Sequence, residues 1–419
     1  MHSTPVLRFA LFFALIVAPW AVGLRADDWP GFRGPHRDGI CREKGLLKEW
    51  PSEGPKLLWK VTGMGIGNSA PSVVGNVLYT MGQKDGKEWV LALDASREGK
   101  QIWASPIGPV RYDGNGFPGP RSTPTIDGNR LYTLGIAGDV VCMEFKRGRI
   151  LWRRDVVKDF GGRQARLSWG YAESVLVDGP LVICTPGGPK NTIVALNKNN
   201  GRLVWGSPVG DPAAYASVIK VMVGKSKQYV NLTAKGVIGV AAKNGKLLWR
   251  YDAPASRVAN CAACVTSGDT VFAASAYGTG GGLVQITPSG SGFTADQVYF
   301  TKKMQNHHGG MVLVDGYLYG CSNPSVLTCL DYKTGKIKWA DRTAGKCSVL
   351  WADGMLYCRD ENGPISLVEA TPQGFRLKGR FDQPDRSDRN SWPYLVIANG
   401  VMYVRDQDVL LAYDVRGEK

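Results

Sequence analysis

Asp331-Tyr332-Lys333-Thr334-Gly335-Lys336-Ile337-Lys338-Trp339 is the clearest copy of a phrase, Asp/Asn-x-x-x-Gly-Lys/Arg-x-x-Trp, that recurs along the chain. Related copies run from Asn197 to Trp205, Lys243 to Trp249 and Asp94 to Trp103, with a worn one from Lys146 to Trp152. An apolar run precedes each, as in Val90 to Leu93, Ile193 to Leu196 and Val326 to Leu330. A strand entering a Gly-containing turn and leaving as a strand with one Trp is a β-hairpin, with Gly at the positive-φ position. Self-similarity at such a period is the signature of a propeller or a solenoid.

The marker aromatics are Trp59, Trp103, Trp152, Trp205, Trp249, Tyr299, Trp339 and Phe381, spaced by 44, 49, 53, 44, 50, 40 and 42 residues. These intervals match the length of a four-stranded blade. Each interval holds a second hairpin, such as Pro71 to Tyr79 or Met311 to Tyr319, so two hairpins make one blade. Trp392 to Leu411 supplies three strands at the C-terminal end and lacks the outer one, whose counterpart is Lys56-Leu57-Leu58-Trp59-Lys60-Val61. The expectation is an all-β, eight-bladed β-propeller of four-stranded antiparallel blades, the last closed by the N-terminal strand so that no sheet edge is left open inside the ring. A seven-bladed ring is the nearest alternative, because the repeats ending at Tyr299 and Phe381 have lost the motif.

The expected organisation is a signal peptide at 1–26, an N-terminal arm at 27–55 and the propeller at 56–417. Arg8 followed by the apolar run Phe9 to Leu24 and small residues before Asp27 reads as an export signal. The mature protein is therefore expected in the periplasm or outside the cell, with no membrane span after cleavage. Nine cysteines include Cys142 and Cys329 at one repeated strand position, which suits small apolar core residues better than a disulfide framework. Cys261-x-x-Cys264, placed on an innermost strand, lacks the second ligand pair of a zinc site. The formal net charge is +15, with many cations in turns such as Lys246 and Lys336. No nucleic-acid-binding motif accompanies that charge, and a protein or glycan partner is expected instead.

Ligand sites of radial folds gather on the face formed by the loops leading into the innermost strands and the loops between second and third strands. The lead-in positions are Asn68, Arg121, Glu173, Tyr215, Asn260, His307, Lys346 and Trp392, varied where a structural repeat would be constant. His307, followed by His308, is a candidate general base or single metal ligand, against a plain hydrogen-bonding role between blades. Asp360-Glu361 and Asp406-x-Asp408, each after an Arg, fall at matching ends of neighbouring blades. Together they suggest either a Ca²⁺ site of four carboxylates or an Arg–Asp ladder between blades. Trp169 and Trp392 precede inner strands and are candidates to stack on a sugar or quinone ring. Tyr277 to Gly282 has no following helix and is not read as a phosphate cradle.

The Thr-Gly-Lys-x-x-x-Trp phrase after an Ala/Cys-Leu-Asp strand resembles the pyrroloquinoline-quinone-like (PQQ-like) repeat, over roughly residues 56–417. Asp28 to Pro35, Trp169 to Ala172 and Asn306 to Gly310 are similar to segments of exported PQQ-like propellers of planctomycetes. Quinoprotein alcohol dehydrogenases and the non-enzymatic outer-membrane assembly scaffold share the repeat, so it implies a fold and not one chemistry. The leading expectation is an exported scaffold that binds a ligand or a protein on its channel face. The enzyme alternative implies PQQ with Ca²⁺, Glu173 or Asp360 as base, and Arg121 or Lys346 on the quinone carboxylates. The adjacent Cys-Cys pair and the Cys-x-x-Cys-His site of those dehydrogenases are absent from this sequence.

Overall fold

The computed structural model describes residues 28–110, 117–165, 169–290 and 292–417; the expected signal peptide lies outside them. Eight antiparallel blades form the ring, each with four strands in consecutive order from the channel outwards. Blades 1 to 7 span residues 72–109, 125–155, 176–206, 219–251, 265–301, 306–341 and 347–381. Blade 8 takes Val396–Ala398, Val401–Asp406 and Val409–Asp414 from the C-terminal end, and Leu57–Val61 as its outer strand. The split blade pairs Trp59 with Ala412 and Val61 with Leu410. The eighth blade is therefore complete, which removes the seven-bladed alternative.

The repeated phrase performs two tasks at once. In each outer hairpin the marker Trp lies opposite a small residue: Trp103 opposite Ala92, Trp152 opposite Cys142, Trp205 opposite Ala195, Trp249 opposite Gly239 and Trp339 opposite Cys329. That pairing explains the repeated cysteines as space-saving core residues. All nine cysteines are free, and Cys142 and Cys329 have no exposed surface. The indoles of Trp103, Trp152 and Trp205 also cover the turn glycine of the next blade. A Cβ added to Gly148 would lie 2.4 Å from the ring of Trp103, one on Gly201 2.6 Å from Trp152, and one on Gly245 2.4 Å from Trp205. Glycine is thus required twice, by positive φ and by the close approach of the neighbouring blade.

The indole N–H completes the contact. Trp152 Nε1 donates to Lys198 O at 2.9 Å, Trp205 Nε1 to Ala242 O at 3.2 Å, and Trp339 Nε1 to Thr371 O at 2.6 Å, each carbonyl belonging to the following blade. Tyr299 preserves the geometry where the motif is lost, donating from its hydroxyl to Tyr332 O at 2.9 Å.

Phe381, by contrast, is not the marker of blade 7. Strand register puts Gly379 opposite Leu367, the position that Trp occupies elsewhere. Trp50 of the arm fills the vacated space. Its backbone N–H donates to Lys378 O at 2.9 Å, and its ring meets Tyr357 and Phe381 at 5.6 and 5.5 Å. A side chain at 379 would collide with Trp50, at 2.5 Å from its Cβ.

The arm lies across the far end of the channel. Trp29 exchanges two 2.8 Å backbone hydrogen bonds with Val73, and Ile40–Cys41 adds a short parallel strand to Trp351 and Ala352 of blade 7. Asp28 accepts from Gly75 N–H, and Glu43 accepts from Asn399 and Gly400 N–H, so both carboxylates hold turns between first and second strands. Arg33 and Arg37 are buried and donate to carbonyls of inner strands, Arg33 to Met311 O, Arg37 to Ser174 O and Val175 O. The channel is closed on that side.

Trp339→Ala is expected to lower the unfolding free energy by about 3–5 kcal/mol, as for a buried Trp truncated in a core. Gly245→Ala is expected to destabilise by more than about 1 kcal/mol, well beyond the small gain usual where φ permits alanine. Denaturant titration of both variants against wild type checks the pair. A neutral Gly245→Ala would show that Trp205 does not need its close approach.

Candidate functional site

On the open face, opposite the arm, lies a cavity of about 290 Å³. The lead-in loops and the loops between second and third strands wall it, as the propeller geometry requires. Of the eight lead-in positions, Asn68, Arg121, Tyr215, His307, Lys346 and Trp392 line it, and so do Trp169, His308 and Glu361. Phe32 of the arm and Tyr394 form the inner end, their rings perpendicular with centroids 5.5 Å apart.

Aromatic rings make up much of the wall. Phe117 meets Trp392 edge-on at 4.4 Å, Trp392 lies 5.8 Å from His308, and His307 lies 5.1 Å from Tyr277. Trp169 and Tyr215 form a second pair at 5.7 Å. Such pairs hold large side chains in fixed orientations.

The polar groups converge beside Trp392. Lys346 Nζ pairs with Glu361 at 3.1 Å, and Trp392 Nε1 donates to the same carboxylate at 3.0 Å. His308 Nδ1 sits 3.9 Å from Glu361 and 3.4 Å from His307 Nδ1, while His307 Nε2 contacts the Tyr277 hydroxyl at 3.1 Å. Burial and the nearby Lys346 push His307 down to about 4. Burial, with His307 and Lys346 alongside, holds His308 well below the ordinary imidazole range. Both rings are neutral at pH 7. His308 Nε2 is buried with no hydrogen-bond partner among the described residues, although a buried imidazole nitrogen ordinarily has one.

Other sequence candidates fall elsewhere. Glu173 points away from the cavity: it accepts from Thr185 N–H at 2.6 Å and Val218 N–H at 3.3 Å, tying blade 3 to blade 4. Asn260 is likewise consumed, accepting from Ser256 N–H and Ser275 Oγ and donating to Thr233 O. Cys261 lies in the lead-in loop of blade 5 and lines the cavity, so Cys261-x-x-Cys264 precedes the inner strand instead of lying on it. Burial pushes the Cys261 thiol up to about 12, far from a reactive thiolate.

The four carboxylates proposed for Ca²⁺ do not converge. Asp360 caps Asn362 N–H, Glu361 faces the cavity, Asp406 holds Ser387, and Asp408 accepts from Gly63 and Gly65 N–H. Among the described residues no group of three or more His, Cys, Asp or Glu side chains is placed to hold a metal ion. The ladder is built differently from an Arg–Asp one. Arg359 donates to Arg405 O in the next blade, and Arg405 donates to Thr80 Oγ1 and Met81 O in blade 1. Both arginines are fully buried and their partners are carbonyl and hydroxyl oxygens and Gln383, not the aspartates that follow them. The residues present therefore do not fit a Ca²⁺–quinone centre.

Among the aromatic cavity residues, Phe32, Phe117, Tyr277 and Tyr394 were not candidates from the sequence. Phe32 comes from the arm, and the others lie in loops without a repeat to align them. His308 carried a signal, as the second member of the His-His pair.

The family described as outer membrane protein assembly factor BamB matches residues 86–341, and the chain belongs to this family of PQQ-like repeat propellers. The BamB protein of Moranella endobia is 23% identical over 291 residues, covering 67% of this chain and 60% of the relative. This chain thus spans less than two thirds of that relative. The BamB structure from Moraxella catarrhalis superposes with a TM-score of 0.60 at 12% identity, covering 87% of this chain and 98% of that one. Quinohemoprotein alcohol dehydrogenase from Comamonas testosteroni gives the same TM-score of 0.60 at 11% identity, covering 94% and 81%. Likeness at that identity concerns the fold alone. Among the described residues no helix is long and apolar enough to cross a membrane.

Two titrations test these electrostatics. The imidazole C2–H resonances of His307 and His308 are expected to stay unshifted in NMR spectra from pH 8 down to pH 5. Glu88, buried and accepting from Ile136 N–H, is pushed up to about 7 by burial. A raised carboxyl penalises the folded state as pH climbs from about 4.3, the ordinary glutamate value, to about 7. Glu88→Gln removes that penalty, so its melting temperature relative to wild type is expected to be higher at pH 8 than at pH 5. An unchanged difference across that range would mean that Glu88 is ionised throughout.

Proposed function

We propose that this protein is an exported PQQ-like propeller that binds a small ligand, free or displayed on a protein or glycan, in the cavity of its channel face, and performs no chemistry there. One observation carries the reading: the arm shuts the far end of the channel and places Phe32 at its base, leaving a closed pocket instead of a through-channel. Pockets that are aromatic-walled with a few converging polar groups are the usual form of small-molecule sites. The apolar segment Phe9 to Leu24 supports export. The assembly-factor role in the name of its BamB relatives agrees with a binding function, since their repeat is shared. The alternative, a PQQ/Ca²⁺-dependent alcohol dehydrogenase, draws on the same repeat, but its calcium ligands are not assembled from Asp360, Glu361, Asp406 and Asp408.

Saturation-transfer NMR with a library of sugars, sugar acids, aromatic acids and quinones tests the proposal against wild type and Ala172→Trp, which fills the pocket. At least one class is expected to bind wild type and to lose its signal in the variant, with the melting temperature unchanged. A library in which no compound distinguishes the two proteins would overturn the pocket as the binding site.

A further inference from the structure

The arrangement of rings in the pocket narrows the ligand further, resting on the binding role proposed above. Phe117, Trp392, His308, His307 and Tyr277 form an unbroken arc, with successive centroids 4.4, 5.8, 5.2 and 5.1 Å apart. The arc draws on the lead-in loops of blades 2 and 8, the start of blade 6 and a loop of blade 5. Trp169 and Tyr215 come from the lead-in loops of blades 3 and 4, in the gap that the arc leaves between blades 2 and 5. Phe32 and Tyr394 close the inner end. Aromatic surface therefore faces the cavity from almost every direction except its mouth.

The polar groups of the lining are occupied in holding these rings. Glu361 accepts from the Trp392 indole and pairs with Lys346. Arg121 donates to the carbonyls of Phe117 and Trp169. The Tyr394 hydroxyl donates to His308 O at 2.8 Å, and Asn68 Oδ1 accepts from Trp392 N–H at 3.3 Å. The Tyr277 hydroxyl meets His307 Nε2 at 3.1 Å. A charged ligand would lose its hydration here for little return, because Lys346 is matched by Glu361 and Arg121 is turned to carbonyls. A sugar would bring several hydroxyls to groups already engaged. A flat uncharged ring needs neither: it meets other rings edge-on or offset-stacked, and these are fixed in advance, which lowers the ordering cost of binding.

Tyr277 shows that this wall is held at a cost. Its φ is +57°, in the left-handed region that bulky side chains rarely adopt, and the residue is still 46% exposed. Strain of this kind gathers at ligand clamps. Phe117, 43% exposed, likewise leaves an aromatic face uncovered at the pocket.

We propose that the pocket takes an uncharged aromatic ring of phenol or indole size, clamped by the arc from Phe117 to Tyr277. The cavity of about 290 Å³ has room for it. Such a ring is available as a free small molecule or as a side chain of a partner protein, and the two sources share this chemistry.

Isothermal titration with p-cresol, 3-methylindole, p-toluate, 4-methylcyclohexanol and methyl glucoside tests this. p-Cresol or 3-methylindole is expected to bind at least about tenfold more tightly than each of the other three, a gap of about 1.4 kcal/mol. Ala172→Trp is expected to abolish that binding. Tyr277→Gly, which relaxes the backbone and removes a ring, is expected to weaken it about fivefold, as for the loss of one aromatic pair, with the melting temperature not lowered. Equal or tighter binding of p-toluate would overturn the uncharged assignment; equal or tighter binding of 4-methylcyclohexanol or the glucoside would overturn the aromatic one. Unchanged affinity in Tyr277→Gly would overturn the clamp. Silence from the panel, with another library compound binding wild type and not Ala172→Trp, would remove the aromatic ligand and leave the pocket reading standing. Binding of no compound at all would remove both proposals. The N-acetyl amides of tyrosine and tryptophan separate the sources: an amide that binds more tightly than its parent ring indicates a partner's side chain, and a weaker one a free molecule.

Discussion

The marker indole laid over the next blade's turn glycine is the contact on which the ring depends. A propeller blade is a twisted four-stranded sheet that cannot bury both faces by itself, so its stability lies in contacts with its neighbours. At Trp152 and Trp205 that contact has three parts: a small residue behind the indole, a glycine under it, and a carbonyl of the next blade accepting its N–H. Trp152 with Cys142, Gly201 and Lys198 O shows all of them. The conserved geometry tolerates a change of residue when the function is kept, as with Tyr299 and its hydroxyl. The outer strands beyond this belt leave apolar side chains exposed, including Ile102, Leu203 and Ile337, on edges that need protection from pairing. Cations beside them, such as Arg202, Lys336 and Lys338, discourage edge-to-edge association.

Closure of the ring draws on residues far apart in sequence. Leu57–Val61 finishes blade 8, and the preceding arm supplies both a channel seal and the missing indole of blade 7. Trp50 joins the same core as Tyr357, Phe381 and Tyr413. The arm therefore belongs to the fold, since removing Trp50 would leave Gly379 facing a void where every other blade has a ring. Arg359 and Arg405 make the corresponding link nearer the axis, where guanidinium groups satisfy carbonyls of the next blade in a region closed to water. Burying them costs desolvation, which is why burial pushes both down to about 10.

The architecture was legible because a hairpin phrase repeated at blade length specifies local geometry and neighbour contact together. Blade number followed from the split repeat at the two ends. The marker of blade 7 was not legible: Phe381 occupies a plausible spacing, and only strand register shows Gly379 in the indole position. The candidate site divides along the same line. Lead-in loops point to one face by topology, so Arg121, Tyr215, His307, Lys346 and Trp392 could be named from sequence. Whether a lead-in side chain turns toward the channel or back between blades depends on local hydrogen bonds, and Glu173 and Asn260 turned back to backbone donors. Two acidic runs at matching positions looked like one metal site, yet adjacent residues on extended chain alternate sides. Asp360 and Glu361 accordingly face different surroundings, and only Glu361 reaches the cavity. Phe32 was beyond reach, because nothing in a sequence says where an arm that precedes the ring will lie.

The division of labour between the two ends of each blade explains why one fold can hold such a site. Cohesion resides in the outer hairpins, far from the axis, and in arginine ladders that use backbone acceptors common to any sequence. Some lead-in residues bridge neighbouring blades, among them Asn68, Ser69, Ser174, Glu173 and Asn260, while others line the cavity. A cluster such as His307, His308, Lys346 and Glu361 is costly, because it holds a charge pair and an unpartnered imidazole nitrogen away from bulk water. Such a cluster persists only where the surrounding structure supplies stability independently, and eight neighbour contacts around a closed ring do so. His308 Nε2, buried without a partner among the described residues, is the clearest sign of that cost.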